Sequence, residues 1–313
     1  MDAGQSAATA PERPGLRERL ELASAGVPFR VKVAVIWVVI FAILGVLLWV
    51  ASYDWAWMGD RFSFIAGGLK YTLYLALGGI ALAFTLACFG ALARISSNPV
   101  AYGIAGFYTS FFRGTPLIVQ LFLIYLALPQ FALGLSARFP DTLGQGFVDF
   151  FILDYIVVGI IALGLNYGAY MTEIFRAGIQ SVSGGQTEAA EALGMTYGQK
   201  MRKVILPQAL RVIIPPTGNE FIAMMKDTAL ISVLGSQVQS AELFRRAQMV
   251  GPNEGKVMEA FLIAAGLYWL LTIIFTFFQG KLEARLAKGY SRTTADPKKV
   301  KAIDDPTLTG GQH

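Results

Sequence analysis

The run YTLYLALGGIALAFTLACFGALA at residues 71–93 lies between Lys70 and Arg94 and contains no charged side chain. A second uncharged run, VAVIWVVIFAILGVLLWVASY, occupies residues 33–53. Apolar stretches of about 20 residues are long enough to cross the hydrocarbon layer of a bilayer as an α-helix. The whole chain has 15% charged residues, against roughly 25% in soluble domains. These features predict an all-α, multi-pass membrane protein.

The apolar pattern predicts about six transmembrane helices. We place them at about 31–52, 63–93, 99–130, 154–178, 204–234 and 257–280. The third is interrupted by the sequence Arg113-Gly114-Thr115-Pro116. The fifth is the weakest, because it contains Arg211, Pro215, Pro216, Glu220, Lys226 and Asp227. The first apolar run is longer than that of a signal peptide, and no small-residue cleavage site follows it, so we expect it to be retained.

Basic residues indicate the orientation, because cytosolic loops of membrane proteins are rich in Lys and Arg. They cluster before the first span, after the second, after the fourth and after the sixth. Six alternating spans place all of these clusters on one side, so both termini are predicted to be cytosolic. The exceptions on the other side are Arg245, Arg246 and Lys256. The net charge of +5 is therefore explained by topology and not by nucleic-acid binding.

The predicted cytosolic loop EAAEALGMTYGQKMRKVILP, residues 188–207, carries both charges and small residues. Two capping boxes are predicted there, one from Ser183 to Gln186 and one from Thr196 to Gln199. Gly194 lies between them, where a helix C-cap with positive φ is expected. The small-residue face of Ala189, Ala190, Ala192 and Leu193 would let another protein approach closely. The alternative is an ordinary solvated loop.

This loop resembles the EAA loop of bacterial ABC importer permeases. The matching positions are Glu188, Ala189, Ala190, Gly194, Val204, Leu206 and Pro207. Four further stretches resemble the polar amino-acid permeases of that family: GGLKYTLYLAL (67–77), FFRGTPLIVQLFLIY (111–125), NYGAYMTEIFRAGIQSV (166–182) and KDTALISV (226–233). The similarity runs from about Gly67 to Gln279. Small departures are Gly168, where Ala or Ser is common, and Ala229, where Ser is common.

The resemblance implies a type I importer fold, with a five-helix core and one extra N-terminal helix. The expected organisation is a cytosolic tail (1–28), the extra helix with its outer loop (29–62), the permease domain (63–285, with the coupling loop at 183–207) and a second cytosolic tail (286–313). The loop would dock on a cytosolic ATPase dimer, with Glu188 and Gly194 as its most sensitive points. The other implied partners are a second permease subunit, an extracytoplasmic binding protein and the lipid bilayer of a bacterial inner membrane.

Asn166, Tyr170 and Glu173 are spaced i, i+4 and i+7, so they share one helix face. A carboxylate in a span is costly in lipid, which favours a face turned toward protein or a watery route. The resemblance agrees that this helix lines the substrate route. The alternative, which does not exclude the first, is a structural ion pair between Glu173 and Arg176.

Backbone breaks such as the one at Arg113-Gly114-Thr115-Pro116 are tolerated where they face a cavity. Arg113 and Thr115 are therefore further candidates for the substrate route. For Arg113 the sequence favours a second location, at the cytosolic headgroup boundary. Charged side chains are costly in lipid, so those of the fifth span are expected at a subunit interface or along the substrate route. Lys226 and Asp227 could instead form a local pair.

The chain itself offers no catalytic machinery that we can identify from its sequence. Its only cysteine is Cys88 and its only histidine is His313, so neither a disulfide framework nor a His/Cys metal site is expected. The stretch GMTYGQKM (194–201) lacks the spacing of a phosphate-binding loop. We therefore expect no cofactor in this chain, with Mg-ATP bound by the partner ATPase. The alternative function is an amino-acid transporter driven by an ion gradient, which leaves the EAA loop unexplained.

Overall fold

A computed structural model describes residues 27–235 and 237–286. The predicted tails therefore lie almost entirely outside the described residues. Within the described ranges every regular element is helical. The chain divides into two compact units, residues 1–56 and residues 57–313. The first contains the long apolar helix α1 (Phe29–Val50). Its 22 residues are sufficient to cross a membrane.

The second unit contains almost all of the remaining helices. Short helix α2 (Trp55–Ala66), which begins just before the unit boundary, leads into the long helix α3 (Leu69–Ile95). They are followed by α4 (Pro99–Gly114), α5 (Leu117–Arg138), α6 (Gln145–Phe151) and α7 (Tyr155–Gln180). The chain continues through α8 (Gly184–Ala192), α9 (Tyr197–Lys200) and α10 (Leu206–Asp227). The last two helices are α11 (Leu243–Val250) and α12 (Val257–Leu286).

The predicted all-α membrane fold is confirmed. Five helical segments of the described ranges are long and apolar enough to cross a membrane: Phe29–Val50, Trp55–Ile95, Leu117–Arg138, Tyr155–Gln180 and Val257–Leu286. The remaining predicted span, the fifth (204–234), corresponds to α10, whose 22 residues are enough to cross a membrane but include four charged side chains. Its charges, and not its length, separate it from the other five.

The interruption predicted in the third span divides it into two helices. Helix α4 ends at Gly114, Thr115 and Pro116 are extended, and α5 begins at Leu117. The apolar segment that can cross a membrane is therefore Leu117–Arg138, which starts and ends later than the predicted range of 99–130. The cause is Pro116, because proline disfavours a helical conformation in the residue before it.

The main core forms where α3 packs against α7. The buried side of α3 is a row of small residues at intervals of about four: Gly79, Ala83, Ala87 and Ala91. Small side chains allow two membrane helices to approach closely, which is how they associate when lipid removes the usual hydrophobic driving force. Helices α4, α5 and α10 pack around this pair, so α7 is the central helix of the unit.

A second apolar cluster joins α2, α11 and α12. Its buried members are Ile65, Leu243, Ala247, Ala260, Ile263, Ala264 and Leu267. Polar contacts reinforce it at the surface, where the carboxylate of Glu254 accepts a hydrogen bond from Trp57 Nε1 at 2.6 Å and pairs with Arg61 Nη2 at 2.7 Å. The loop between α10 and α12 is therefore packed onto the helices and does not extend freely away from them.

Candidate coupling loop and translocation site

Helix α8 ends in a Schellman motif centred on Gly194. The N–H of Gly194 donates to the carbonyl of Glu191 at 2.9 Å, and the N–H of Met195 donates to the carbonyl of Ala190 at 3.1 Å. Gly194 has φ +71°, and an added Cβ atom would meet nothing within 4 Å. The predicted C-cap with positive φ is confirmed. Glycine is favoured here by the backbone conformation and not by lack of space.

The two predicted capping boxes have different outcomes. At the start of α9, Thr196 Oγ1 accepts a hydrogen bond from Gln199 N at 3.4 Å, and Gln199 Oε1 accepts one from Thr196 N at 3.0 Å. This capping box is confirmed. The box at Ser183 is wrong, because the Ser183 side chain makes no capping bond. The expected partner, Gln186, instead accepts a hydrogen bond from Gln208 Nε2 on α10.

The exposed side of α8 combines small and apolar residues with charged ones. Ala190 faces inward and is 3% exposed, in contrast to its place on the predicted small-residue face. Ala189, Ala192 and Leu193 remain exposed, and Leu193 exposes 77% of its surface. Glu188 is also exposed on this short helix. We call Glu188, Ala189, Ala192 and Leu193 the docking face.

The chain from Tyr197 to Asp227 is helical without a break. Helix α9 passes through a π-helical turn, Met201–Ile205, directly into α10. The wide turn immediately precedes Leu206 and Pro207, and both of these residues are exposed. Proline cannot donate the usual backbone hydrogen bond and clashes with the carbonyl four residues earlier, and a π-turn relieves both effects. The result is one continuous helix of about 46 Å, which we call the lever.

A network of amides closes the break between α4 and α5. Gln120 is 2% exposed, and its Nε2 lies 2.9 Å from Phe112 O and 2.8 Å from Thr115 Oγ1. From α7, Asn166 Nδ2 donates to Phe112 O at 3.0 Å and to Gln120 Oε1 at 3.2 Å. Asn166 and Thr115 were predicted as substrate-route residues. The structure places both in this break network, where they satisfy backbone groups freed by the interruption.

Charged and aromatic side chains of α4, α7 and α10 meet beside this network. The guanidinium of Arg113 lies 5.3 Å from the ring centroid of Tyr170, and Tyr167 Oη donates to Asp227 Oδ2 at 2.8 Å. The charges of Arg113 and Asp227 both act on half-buried Glu220. We call these five residues the polar cluster. Asp227 thus pairs with Tyr167 and not with its neighbour Lys226, which is exposed.

The remaining predicted route residue, Glu173, lies in an ion-pair network. It pairs with Arg176 Nη2 at 2.7 Å and with Arg94 Nε of α3 at 3.4 Å. The ion pair with Arg176 that the sequence suggested is therefore present, and Arg94 is added to it. Arg113 is located away from this network, over the ring of Tyr170 near the middle of α7.

Two members of these groups were missed in the sequence. Gln120 is the only polar side chain in LIVQLF, which was a usable signal, because a buried amide in an apolar run needs partners. Tyr167 carried no such signal, because it lies one residue from Asn166 and its partner is 60 positions away. Only the packing of α7 against α10 brings Tyr167 and Asp227 together.

The fold and the loop define a multi-pass membrane protein in which a short exposed helix, α8, is followed by one long continuous helix. A family model described as "Binding-protein-dependent transport system inner membrane component" matches residues 79–288. The chain belongs to this family. Its members are the membrane permeases of ABC transporters and are not enzymes, since the ATPase is a separate subunit.

Similar proteins include a probable amino-acid permease of Bacillus subtilis, 37% identical over 76% of this chain and 98% of that protein. An arginine transport system permease of Corynebacterium glutamicum is 38% identical over 73% of this chain and 70% of its own length. The L-cystine transport system permease of Bacillus subtilis is 39% identical over 71% of this chain and 86% of that protein.

Among solved structures, the crystal structure of an amino acid ABC transporter with histidines matches with a TM-score of 0.64 at 35% identity. The match covers 75% of this chain and 99% of that chain. An inward-facing methionine ABC transporter matches with a TM-score of 0.51 at 17% identity, over 74% of this chain and 96% of that chain. This second likeness concerns the fold alone.

Proposed function

We propose that this chain is the permease subunit of an ATP-driven importer that carries polar amino acids inward across a bacterial cytoplasmic membrane. Two such subunits, either two copies of this chain or this chain and a paralogue, enclose the route. A cytosolic ATPase dimer binds Mg-ATP and supplies the energy. An extracytoplasmic binding protein delivers the substrate. Both termini of this chain are on the cytosolic side.

The observation that carries the proposal is the lever. Its first turns follow the docking helix α8, and its far end holds Glu220 and Asp227 of the polar cluster. Gln208 on the lever also donates to Gln186 on α8, and Lys200 pairs with Glu191. A displacement of α8 therefore moves the lever, and with it two of the charges in the polar cluster.

The docking face has the chemistry that a groove on another protein requires. All four residues are exposed; Ala189 and Ala192 are small, Leu193 is apolar and Glu188 adds one charge. Small side chains permit close backbone approach, and an exposed leucine is a suitable anchor for an apolar pocket. The contacts of α8 with the lever hold this face in a fixed orientation. A displacement of α8 on binding is therefore passed to the lever.

The polar cluster has groups that complement an amino-acid backbone. Arg113 offers a guanidinium for a carboxylate, and Glu220 and Asp227 offer carboxylates for an ammonium group. Tyr167 and Tyr170 supply aromatic surface beside these charges. Charged side chains in membrane helices are costly unless they face a watery path or each other, which supports a role in translocation. The relatives, described as permeases for arginine, cystine and glutamine, support amino acids as the substrate class.

The test is reconstitution of the complex purified from native membranes in proteoliposomes. An ABC-type ATPase should co-purify in near-equal amount, and mass spectrometry would identify any second permease chain. Uptake of radiolabelled amino acids should then require Mg-ATP on the side of the membrane that carries the ATPase. It should persist when ionophores remove all ion gradients. Uptake that needs a gradient and ignores ATP would overturn the proposal and leave gradient-driven transport in its place.

A further inference from the structure

The segment between the lever and α12 contains a buried acid. Glu242 is 1% exposed and is the N-cap of α11. Its carboxylate accepts hydrogen bonds from Phe244 N at 2.7 Å and from Arg245 N at 2.5 Å. The usual N-cap residues are the shorter Ser, Thr, Asp and Asn. Burial of a carboxylate is costly, so the longer side chain calls for a further explanation.

That explanation is a third partner outside α11. Tyr268 of α12 donates its hydroxyl to Glu242 Oε2 at 2.9 Å, and the same hydroxyl lies 3.5 Å from Thr228 Oγ1. Thr228 directly follows Asp227, the last residue of the lever and a member of the polar cluster. The carboxylate of Glu242 thus connects α11, through one tyrosine, to the end of the lever.

Helix α3 meets α11 at the same place. Thr72 Oγ1 accepts a hydrogen bond from Leu243 N at 3.3 Å. At Gly68, just before α3, an added Cβ atom would lie 2.6 Å from Leu243 N and Cα, so only glycine permits the observed approach. The first turn of α11 is therefore held by α3, by α12 and, through Tyr268, by the end of the lever.

This junction and the docking face lie at opposite ends of α10. A helix of this length measures about 33 Å, close to the thickness of the hydrocarbon layer. If the docking face meets a cytosolic ATPase, α11 lies on the outer side, where a binding protein delivers substrate. The inference below therefore rests on the proposed function.

We infer that Glu242 is a positioning residue for transport, which joins α11 to Tyr268 and Thr228 so that docking of the binding protein on the outer side displaces the end of the lever. Its role goes beyond capping. The cap holds α11 together, whereas the bond to Tyr268 couples α11 to the membrane helices. Side-chain length separates the two roles. An aspartate at this position can still cap α11, but it is one methylene shorter and would not reach the hydroxyl of Tyr268.

The experiment uses the whole complex in proteoliposomes with its binding protein and substrate. The variants are Glu242→Asp, which keeps a capping carboxylate, Tyr268→Phe, which removes only the hydroxyl, and the double variant. Basal ATPase activity and its stimulation by substrate-loaded binding protein are measured for each. A coupling of ordinary size between two sites corresponds to about 5- to 150-fold, so a loss of about fivefold or more in stimulation is expected. Basal activity should stay near the value of the unmodified complex, whereas the midpoint of thermal unfolding should fall modestly in both single variants, because each breaks a buried hydrogen bond.

Two further results decide the inference. The double variant should lose no more stimulation than either single variant, because both substitutions break one connection. Glu254→Gln serves as the control, since Glu254 bonds Trp57 and Arg61 in the same layer without touching the lever, and its stimulation should be normal. The inference is overturned if Glu242→Asp and Tyr268→Phe are stimulated normally, or if their losses add. Failure of the proposed function itself looks different, because then the unmodified complex shows no stimulated ATPase activity at all.

Discussion

The hydroxyl of Tyr167 donates a hydrogen bond to Asp227 Oδ2 at 2.8 Å, which joins the middle of α7 to the last residue of the lever. Helix α7 is the central, most extensively packed helix of its unit, whereas the lever begins at the docking helix. In the proposed mechanism, this single bond lies between the central helix and the helix that α8 displaces. Its strength should influence both stability and transport.

Tyr167→Phe is expected to lower stability and transport together. It leaves the Asp227 carboxylate without its hydroxyl donor, at a cost of about 1 kcal/mol, as is typical of hydrogen bonds between membrane helices. Asp227→Asn is the matched control, because an amide oxygen can still accept from Tyr167 while the charge is lost. The measurements are the midpoint of thermal unfolding in detergent and ATP-driven uptake. A Tyr167→Phe variant as stable as the unmodified chain would contradict the assigned role of the bond.

Substitutions at Gly194 should separate backbone conformation from docking. Asn and Asp adopt positive φ more readily than other residues with a Cβ atom, and the site has open space for a side chain. Gly194→Asn is expected to retain most of the uptake. Gly194→Asp, with nearly the same shape, adds a charge beside Leu193 and should abolish uptake while membrane insertion is unchanged.

The measurement for this pair is uptake in proteoliposomes, together with recovery of the ATPase on affinity purification. Normal uptake by both variants would contradict the proposal that the loop docks on the ATPase. Equal loss in both would indicate that the backbone conformation, and not the docking surface, is the sensitive property.

Gln120→Leu tests the network that closes the break between α4 and α5. The substitution keeps the apolar pattern of α5 but removes the donor to Phe112 O and Thr115 O, which lie 2.9 and 3.0 Å from Gln120 Nε2. Each buried polar group left without a partner costs about 1–3 kcal/mol. We expect a clearly lower midpoint of thermal unfolding. Gln130→Leu makes the same change at an exposed position of α5 and serves as the control for the change in polarity. An unchanged midpoint for Gln120→Leu would show that the break does not need these bonds.

Glu242 should make stability depend on pH. Burial raises the pKa of Glu242 to about 7, although the N–H groups of Phe244 and Arg245, the hydroxyl of Tyr268 and the charge of Arg245 act to lower it. Because the pKa in the folded chain is above the ordinary value of 4.5, the folded state binds the proton more tightly than the unfolded state does. The stabilising contribution is fully present below about pH 4.5 and is lost as the pH rises through about 7.

The check is the midpoint of thermal unfolding of the unmodified chain and of Glu242→Gln, measured from about pH 5 to about pH 8. The midpoint of the unmodified chain should fall relative to that of Glu242→Gln as the pH rises, since glutamine does not titrate. A difference between the two that stays constant, or that changes in the other direction, would contradict the raised pKa.

The sequence by itself determined the class of fold, because an uncharged run long enough to cross a bilayer must be helical to satisfy its own backbone. It also determined the local events at particular residues: the break before Pro116, the capping box at Thr196 and the positive φ of Gly194. These depend on a few neighbouring residues and on the geometry of proline, threonine and glycine. Such local features can therefore be predicted from a few neighbouring residues of the sequence.

The tertiary structure alone decided which distant groups meet. Gln186 was expected to cap its own helix and instead bonds Gln208, 22 positions away. Asp227 had its neighbour Lys226 as a candidate partner and instead bonds Tyr167, and Glu242 gave no signal of its link to Tyr268. Hydrogen-bonding side chains have several possible partners of equal chemistry. The choice among them is made by the close packing of α3, α7, α10 and α12, which fixes the distances that the sequence leaves open.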